Sequence, residues 1–488
     1  MISISRSLAR QFRAVARRAG LSTRRGSYVR LLATPDALSV YAANGRVAVE
    51  HRGGGRYIAA DLTVPLQLFA DCEAKNRDMV TIRLGEPGHI VATWDEGGLP
   101  QHRDYLFADE ASIPQRPPLP TEFASNEPGL LIALRDVMET TEQNATRYAL
   151  SCVQLKGRGS LAATDGHQLL MQSGFAFGWD ENKEVLMEAS DVFASRELPQ
   201  DQPVQIGKSD RWVTVQVGAW TIHHAIPQEG RFPDVDRVIP ATGAVVTRMQ
   251  LDAADAEFLS DRIERLPADD TPERPVTVDL NGSVAIRASQ DKTSPPTELV
   301  LSRSRRVGPE VRLQTNREFL ARALDLGFTE FGFVSGEAPC VCTDATRTYV
   351  WQMLDPKSAL QPTDDVQRIA SPAASTSVRN ALSERRTTKS SQTLSSKEQR
   401  MPTPNGSSGP VNRLPPTSGV ATNPVTLSPS PVSASNDLIT QAELVRDSLR
   451  TTLLNVTTLI SVARQQRRQS RLMKSTLASL RQLQQLDA

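Results

Sequence analysis

Leu8, Phe12, Val15 and Ala16 share one face of a helix, and Leu130, Leu134, Val137 and Met138 share the same face 122 residues later. This register constrains the chain more than any other feature, because a repeated unit has the same faces to bury in each copy. A third apolar helix, in weaker register, runs from about Leu251 through Phe258 and Leu259 to Ile263. Two further markers recur. The apolar triplets Leu68-Phe69-Ala70, Val192-Phe193-Ala194 and Phe319-Leu320-Ala321 fall on predicted helices spaced 124 and 127 residues apart. The turns at Gly45 and Gly166 are 121 residues apart. Alternating strands lie between the markers, as at 211–226 and 276–289. Each unit reads helix, strands, helix, strands. The expected architecture is α+β, three copies with boundaries at 1–124, 125–242 and 243–355.

All 24 aromatic residues lie at or before Trp351. Residues 356–435 are rich in Ser, Thr, Pro and Asn, too poor in apolar surface to offset their ordering entropy, and are expected to be a disordered linker. From 436 to 488 the pattern changes again. Ala442, Val445, Leu449, Thr452, Val456, Leu459 and Ala463 form a helical seam that Met473, Leu477 and Leu480 resume, so a helical extension, in part a coiled coil, is expected. This segment carries eight Lys or Arg against four acids. Self-association, a DNA- or partner-binding helix, and a tail that docks in a groove of its own chain through Gln482–Leu486 all fit it.

The net charge of +1 names no partner, yet residues 1–35 hold eight Arg and no acid. Arg6, Arg10, Arg13 and Arg17 fall within about 60° of one another on a helix, opposite Leu8, Phe12, Val15 and Ala16. A phosphate-facing stripe, a solvated face and a targeting presequence all read this way. The match to Leu130–Met138 favours a helix that belongs to the fold. Cys72, Cys152, Cys340 and Cys342 show no CxxC spacing and fit a reducing compartment. No apolar run reaches the length of a membrane span.

Thr164-Asp165-Gly166-His167 brings an acid and a His together. Asp-Gly between apolar strands is a hairpin signal of type I′. Asn44-Gly45 holds the equivalent place and brings no His, and no nucleophile motif, phosphate loop or metal spacing accompanies the six His. A hydrolase built on Asp165 and His167 therefore lacks its parts. No catalytic residue, metal or cofactor is expected.

The strand Arg147, Tyr148, Leu150, the turn 164–167 and the junction Arg231-Phe232-Pro233-Asp234 together resemble the middle domain of the bacterial DNA polymerase III beta subunit, the sliding clamp. The resemblance spans roughly residues 1–354 and is strongest in the middle repeat. It implies a head-to-tail homodimeric ring, helices lining the hole and antiparallel sheets outside, around sequence-independent duplex DNA. It further implies a non-enzymatic processivity factor, loaded by a clamp loader, that tethers the replicative polymerase in a bacterial cytoplasm at the nucleoid. Partner peptides are implied to dock in a groove at Leu150, Thr164, Gly166, His167, Leu169, Pro233, Arg237, Val238 and Val350. Arg6, Arg10, Arg13 and Arg17 are the expected DNA-facing residues, with Arg135, Arg196, Arg317 and Arg322 on later helices. Two departures stand out: Gln168 follows the turn where the family has Arg, and "VWQMLDP" replaces its apolar C-terminal strand. The alternative is a clamp-fold scaffold paralogue that binds partners without supporting the main polymerase.

Overall fold

The computed structural model describes residues 1–22, 26–107, 113–142, 149–291 and 294–372. Arg147, Tyr148, most of the expected linker and all of the expected C-terminal helix lie outside the described residues.

The first repeat runs β1 (Ile2–Ser5), α1 (Arg6–Arg18), β2 (Tyr28–Thr34), β3 (Ala37–Ala43), β4 (Val47–Gly54), β5 (Ala60–Pro65), α2 (Leu66–Cys72), β6 (Met79–Leu84), β7 (His89–Glu96) and β8 (Leu99–Leu106). The second runs β9 (Ala124–Asn126), α3 (Gly129–Met138), β10 (Cys152–Lys156), β11 (Ser160–Thr164), β12 (Gln168–Ser173), β13 (Glu184–Glu188), a 3-10 turn at Asp191–Ala194, β14 (Val204–Lys208), β15 (Trp212–Val217) and β16 (Trp220–Ala225). The third begins β17 (Thr247–Gln250), α4 (Ala253–Ile263), β18 (Pro275–Asp279), β19 (Val284–Ala288), β20 (Thr297–Leu301), β21 (Arg305–Val307) and β22 (Arg312–Asn316). It ends α5 (Arg317–Asp325), β23 (Glu330–Phe333), β24 (Cys340–Thr343) and β25 (Arg347–Trp351), and β26 (Gln367–Ala370) follows. Apart from the short β21, the three repeats share one order of elements, so the expected threefold α+β unit is present.

Local chemistry starts the helices where the sequence suggests. The Ser5 hydroxyl accepts from the Leu8 amide at 3.1 Å, and Asp252 and Asn316 cap α4 and α5 in the same way. The middle repeat departs from the expected second helix. Val192-Phe193-Ala194 makes only a 3-10 turn, and Ser195 is already extended. A longer helix would need an N–H from Pro199 to Ser195, which proline lacks.

The sheets do not stop at repeat boundaries. β4 pairs antiparallel with β16, so that eight strands run in the order β5-β2-β3-β4-β16-β15-β14-β9. β12 pairs antiparallel with β25 inside a nine-stranded sheet. Both joints therefore use the same two positions, the fourth strand of one repeat's order (β4, β12) and the last strand of the next (β16, β25). Two smaller sheets, β1-β6-β7-β8 and β22-β18-β19-β20-β26, complete the fold.

One apolar cluster passes through all three repeats. Phe12 of α1 lies 5.5 Å from Phe69 and 6.1 Å from Trp220 between ring centres, which ties the first repeat to the second. Cys340 and Cys342 are fully buried beside Tyr349, as expected of core thiols. Burial pushes the Cys342 thiol well above its ordinary range.

Residues 356–372, expected to open the linker, carry structure. Pro356–Ser358 form a 3-10 turn, the Leu360 amide donates to Thr277 Oγ1 at 2.8 Å, and β26 adds a strand to β20. This stretch is held by backbone pairing and polar side chains, which leave no apolar signature in composition.

Candidate functional site

Thr164, Leu169, Val350 and Val341 are register neighbours across β11, β12, β25 and β24. They form a row on one face of the second joint. Leu170, Tyr349 and Cys342, one residue along on each of the last three strands, join the main core on the other face. The row belongs to a separate cluster of Ala162, Leu169, Phe232, Val235, Val341 and Val350, with Met171, Leu186, Ile239 and Val245 at its margin.

Phe232 and Val235 are only 8 % and 5 % exposed. They belong to the segment that links the second repeat to the third, and polar contacts hold that segment down. The Ala149 amide donates to Arg231 O at 3.1 Å, and Lys156 Nζ donates to Asp236 at 3.0 Å. Leu169 and Val350 are left 2 % and 3 % exposed. Leu169 and Val350 thus lie in a buried apolar seam, at the place where the resemblance implies a peptide groove. Phe232 and Val235 share this cluster with them.

The remaining expected residues divide between seam and rim. Thr164 is buried, Leu150 and Pro233 are half-buried, and Gly166 and His167 are exposed at the turn. The Leu150 side chain lies 4.0 Å from where a Gly166 Cβ would sit. Val238 is 51 % exposed, and Arg237, largely in solvent, pairs with Asp234 at 2.7 Å. Sequence reasoning missed Ala162, Met171 and Val341, although each lies two residues from, or directly across from, a residue it named. It also passed over Phe232 and Val235, which sit outside regular strands where alternation gives no signal.

The turn itself is an Asx turn, which corrects the type I′ expectation. Asp165 Oδ1 accepts from the His167 and Gln168 amides at 2.8 Å each, and only Gly166 has positive φ, +93°. Asn44 does the same for the Arg46 and Val47 amides beside Gly45 at φ +83°. Both turns are built in the same way. Gln168, in the family's Arg position, bridges the joint: it accepts from the Tyr349 hydroxyl at 2.6 Å and donates to Asp165 Oδ2 at 2.9 Å. Burial pushes the Tyr349 phenol well up, which keeps it a donor. Among the described residues no cluster of three or more His, Cys, Asp or Glu could hold a metal ion.

The basic helix is also sorted by burial. Arg6 is 4 % exposed and donates to Cys72 O at 2.8 Å, to Asp95 O at 2.6 Å and to Glu96 at 3.2 Å. It pins α1 to the first repeat's second half and cannot face DNA, a correction to the expected stripe. Its helical angle lies within about 40° of that of Arg10, but it stands in the first turn, where its long side chain reaches the ends of α2 and β7. Arg10 pairs with Glu197 at 3.0 Å and Arg13 with Glu73 at 2.6 Å, both part-exposed, while Arg17 and Arg18 are exposed. Arg317 is fully buried and donates to Leu266 O and Pro267 O at 2.5 Å each. Arg322 crosses the second joint to Asp136 O at 2.6 Å and Thr140 Oγ1 at 3.0 Å. Both are structural tethers. Arg135 pairs with its neighbour Asp136 at 2.7 Å, and Arg196 is exposed.

No family model matches the sequence, and no curated protein is significantly similar to it. Solved structures are similar in fold. The DNA polymerase III subunit beta of Pseudomonas aeruginosa superposes with a TM-score of 0.59 at 20 % identity, over 72 % of this chain and 99 % of that one. The beta chain from Streptococcus pneumoniae gives 0.59 at 16 % identity, again over 72 % and 99 %. The sliding clamp of Bacillus subtilis gives 0.60 at 14 % identity, over 72 % and 98 %.

Proposed function

We propose, on the premise that this chain has the fold of the bacterial sliding clamps, that it acts as one: a non-enzymatic ring that encircles duplex DNA. The observation that carries this reading is the repeated joint. Fourth strand meets last strand at β4–β16 and again at β12–β25. The same two positions recur without each other as β20 in the third repeat, where β26 lies on the edge, and β8 in the first. β8 ends its sheet, and its Leu99 and Leu106 and the following Phe107 are 66 %, 71 % and 41 % exposed. Two copies joined head to tail, β20 to β8 twice, close a ring of six units in which every fourth strand meets a last strand.

The experiment is topological. The full-length chain, assembled on nicked circular plasmid with a clamp loader, should stay bound through gel filtration in high salt and be lost once the plasmid is linearised. Equal loss from circle and line would sink the ring reading.

Such a ring meets phosphates without reading bases. With Arg6 removed from the set, Arg10, Arg13 and Arg17 remain the proposed DNA-facing residues. The triple Ala variant should weaken duplex binding at every sequence and flatten the salt dependence by roughly 0.9 in slope for each phosphate that is no longer neutralised. A full salt slope in the variant would remove α1 from the interface. Tethering of the replicative polymerase, and residence in the bacterial cytoplasm at the nucleoid, belong to the same proposal. Among the described residues no helix is long and apolar enough to cross a membrane.

The covered seam favours a second reading, a clamp-fold scaffold that binds partners without serving the main polymerase. Leu169 and Val350 offer a docking peptide no open floor, so partners meet the rim at His167, Arg237 and Val238 or displace Phe232. Primer extension separates the two readings. A processivity factor lengthens the products of the replicative polymerase, and a scaffold paralogue leaves them short.

A further inference from the structure

The edge of β20 is occupied. β26 runs parallel along it, pairing Thr297 with Gln367, Glu298 with Arg368, Leu299 with Ile369 and Val300 with Ala370. The contact is specific. The Gln367 amide donates to Pro296 O at 2.9 Å and the Ser371 amide to Val300 O at 2.8 Å. Ser371, only 4 % exposed, accepts from the Ser302 amide at 2.9 Å through its hydroxyl. Glu298, 2 % exposed, lies between two guanidinium groups, accepting from Arg287 at 2.5 Å and from Arg368 at 2.6 Å.

A strand offers a single outward row of N–H and C=O groups, and that row pairs with one neighbour at a time. At both internal joints the row on the fourth strand is taken by the last strand of the next repeat, antiparallel and five residue pairs long. On β20 it is taken by four residues of the chain's own C-terminal extension, in the slightly weaker parallel sense. Little apolar burial supports them, since all four residues of β26 are exposed. The occupant is held well enough to form and weakly enough to be displaced.

We propose that Gln367–Pro372 is a built-in cap on the ring-closing edge, which β8 of a second copy must displace before the ring can close. This rests on the clamp reading above. The cap leaves the fold of each repeat untouched and lowers the apparent affinity of one copy for another by the fraction of chains in which it is undocked. It also shields an edge strand from pairing with unrelated chains while the protein is a monomer. Closure and release of the extension are then one event.

The test compares the full-length chain with its Ile369→Pro variant. Gln367 and Ser371 both direct their N–H to β20, so Ile369, midway between them, directs its own the same way, and proline removes it. Amide exchange over 297–301, measured in dilute protein, reads the cap, and sedimentation equilibrium reads the dimer. The variant should exchange roughly tenfold faster there and should dimerise with a dissociation constant roughly tenfold lower. Arg368→Glu, which leaves the backbone donors in place and sets a carboxylate against Glu298, should move both readouts in the same direction. Equal exchange in all three chains shows nothing seated on β20 and overturns the cap. Faster exchange with an unchanged dimer constant overturns the competition. Faster exchange with no dimer from any chain at high concentration overturns the ring reading beneath it.

Discussion

At pH 4.5 the folded chain should be several kcal/mol less stable than at pH 7, with most of the loss falling between pH 6.5 and 4. His223 and His224 lie on β16 at the first joint and are fully buried. His223 Nδ1 lies 2.9 Å from the Thr214 hydroxyl, and His224 Nδ1 donates to Glu188 O at 2.9 Å while its ring stacks on Phe193. Burial lowers both imidazoles to about 4, with His224 and Arg116 adding to the effect on His223. The unfolded chain takes up protons near 6.5 and the folded chain only near 4, so stability is complete above 6.5 and is withdrawn as pH falls through the window. Each imidazole accounts for roughly 3 kcal/mol at most. Buried carboxylates such as Asp279, held below the usual range by Arg287 and Arg312 against the effect of burial, contribute at still lower pH. Urea midpoints at pH 7 and pH 5 read the effect, and the double His→Gln variant should show a flatter profile. A parent midpoint that does not move would mean that these rings are hydrated.

Leu169→Glu should cost on the order of 4 kcal/mol or more and should loosen the second joint. The charge would enter a row between Thr164 and Val350, within the apolar cluster that also holds Phe232 and Val235. Val238→Glu, at the exposed rim, should change stability by less than about 0.5 kcal/mol and act only on partner binding. Denaturant unfolding of the two variants side by side distinguishes a covered seam from an open groove. A Leu169→Glu protein as stable as its parent would restore the open groove expected from the motif.

What was legible in the sequence was whatever repeats locally. Leu130, Leu134, Val137 and Met138 announce α3 because a helix returns every 3.6 residues to the same face, and Gly166 and Gly45 announce turns because few other residues take positive φ. The joints were not legible. His51 faces Trp220 and Val350 faces Leu169 through backbone pairing, which depends on register and not on residue type. Arg6 was misread because a helical wheel carries angles only. Position along the axis decides whether an Arg meets solvent or, as here, the carbonyls of Cys72 and Asp95. At the seam, the motif around Pro233 marked the right segment, while the side chain buried with Leu169 and Val350 is the neighbouring Phe232. β26 left the faintest trace, a single Ile among polar residues at the start of a low-complexity stretch.

The joints have a mechanical consequence. At each one the ladder is continuous from one repeat into the next, and a side chain, Trp220 or Arg322, is driven across it like a dowel. Flexing one repeat against its neighbour would shear hydrogen bonds along a whole strand while prising apart packed aromatic rings. Compliance is low there, and thermal energy has no soft hinge to excite. The three repeats should therefore move together, with strain applied to one passed through the joints to the next.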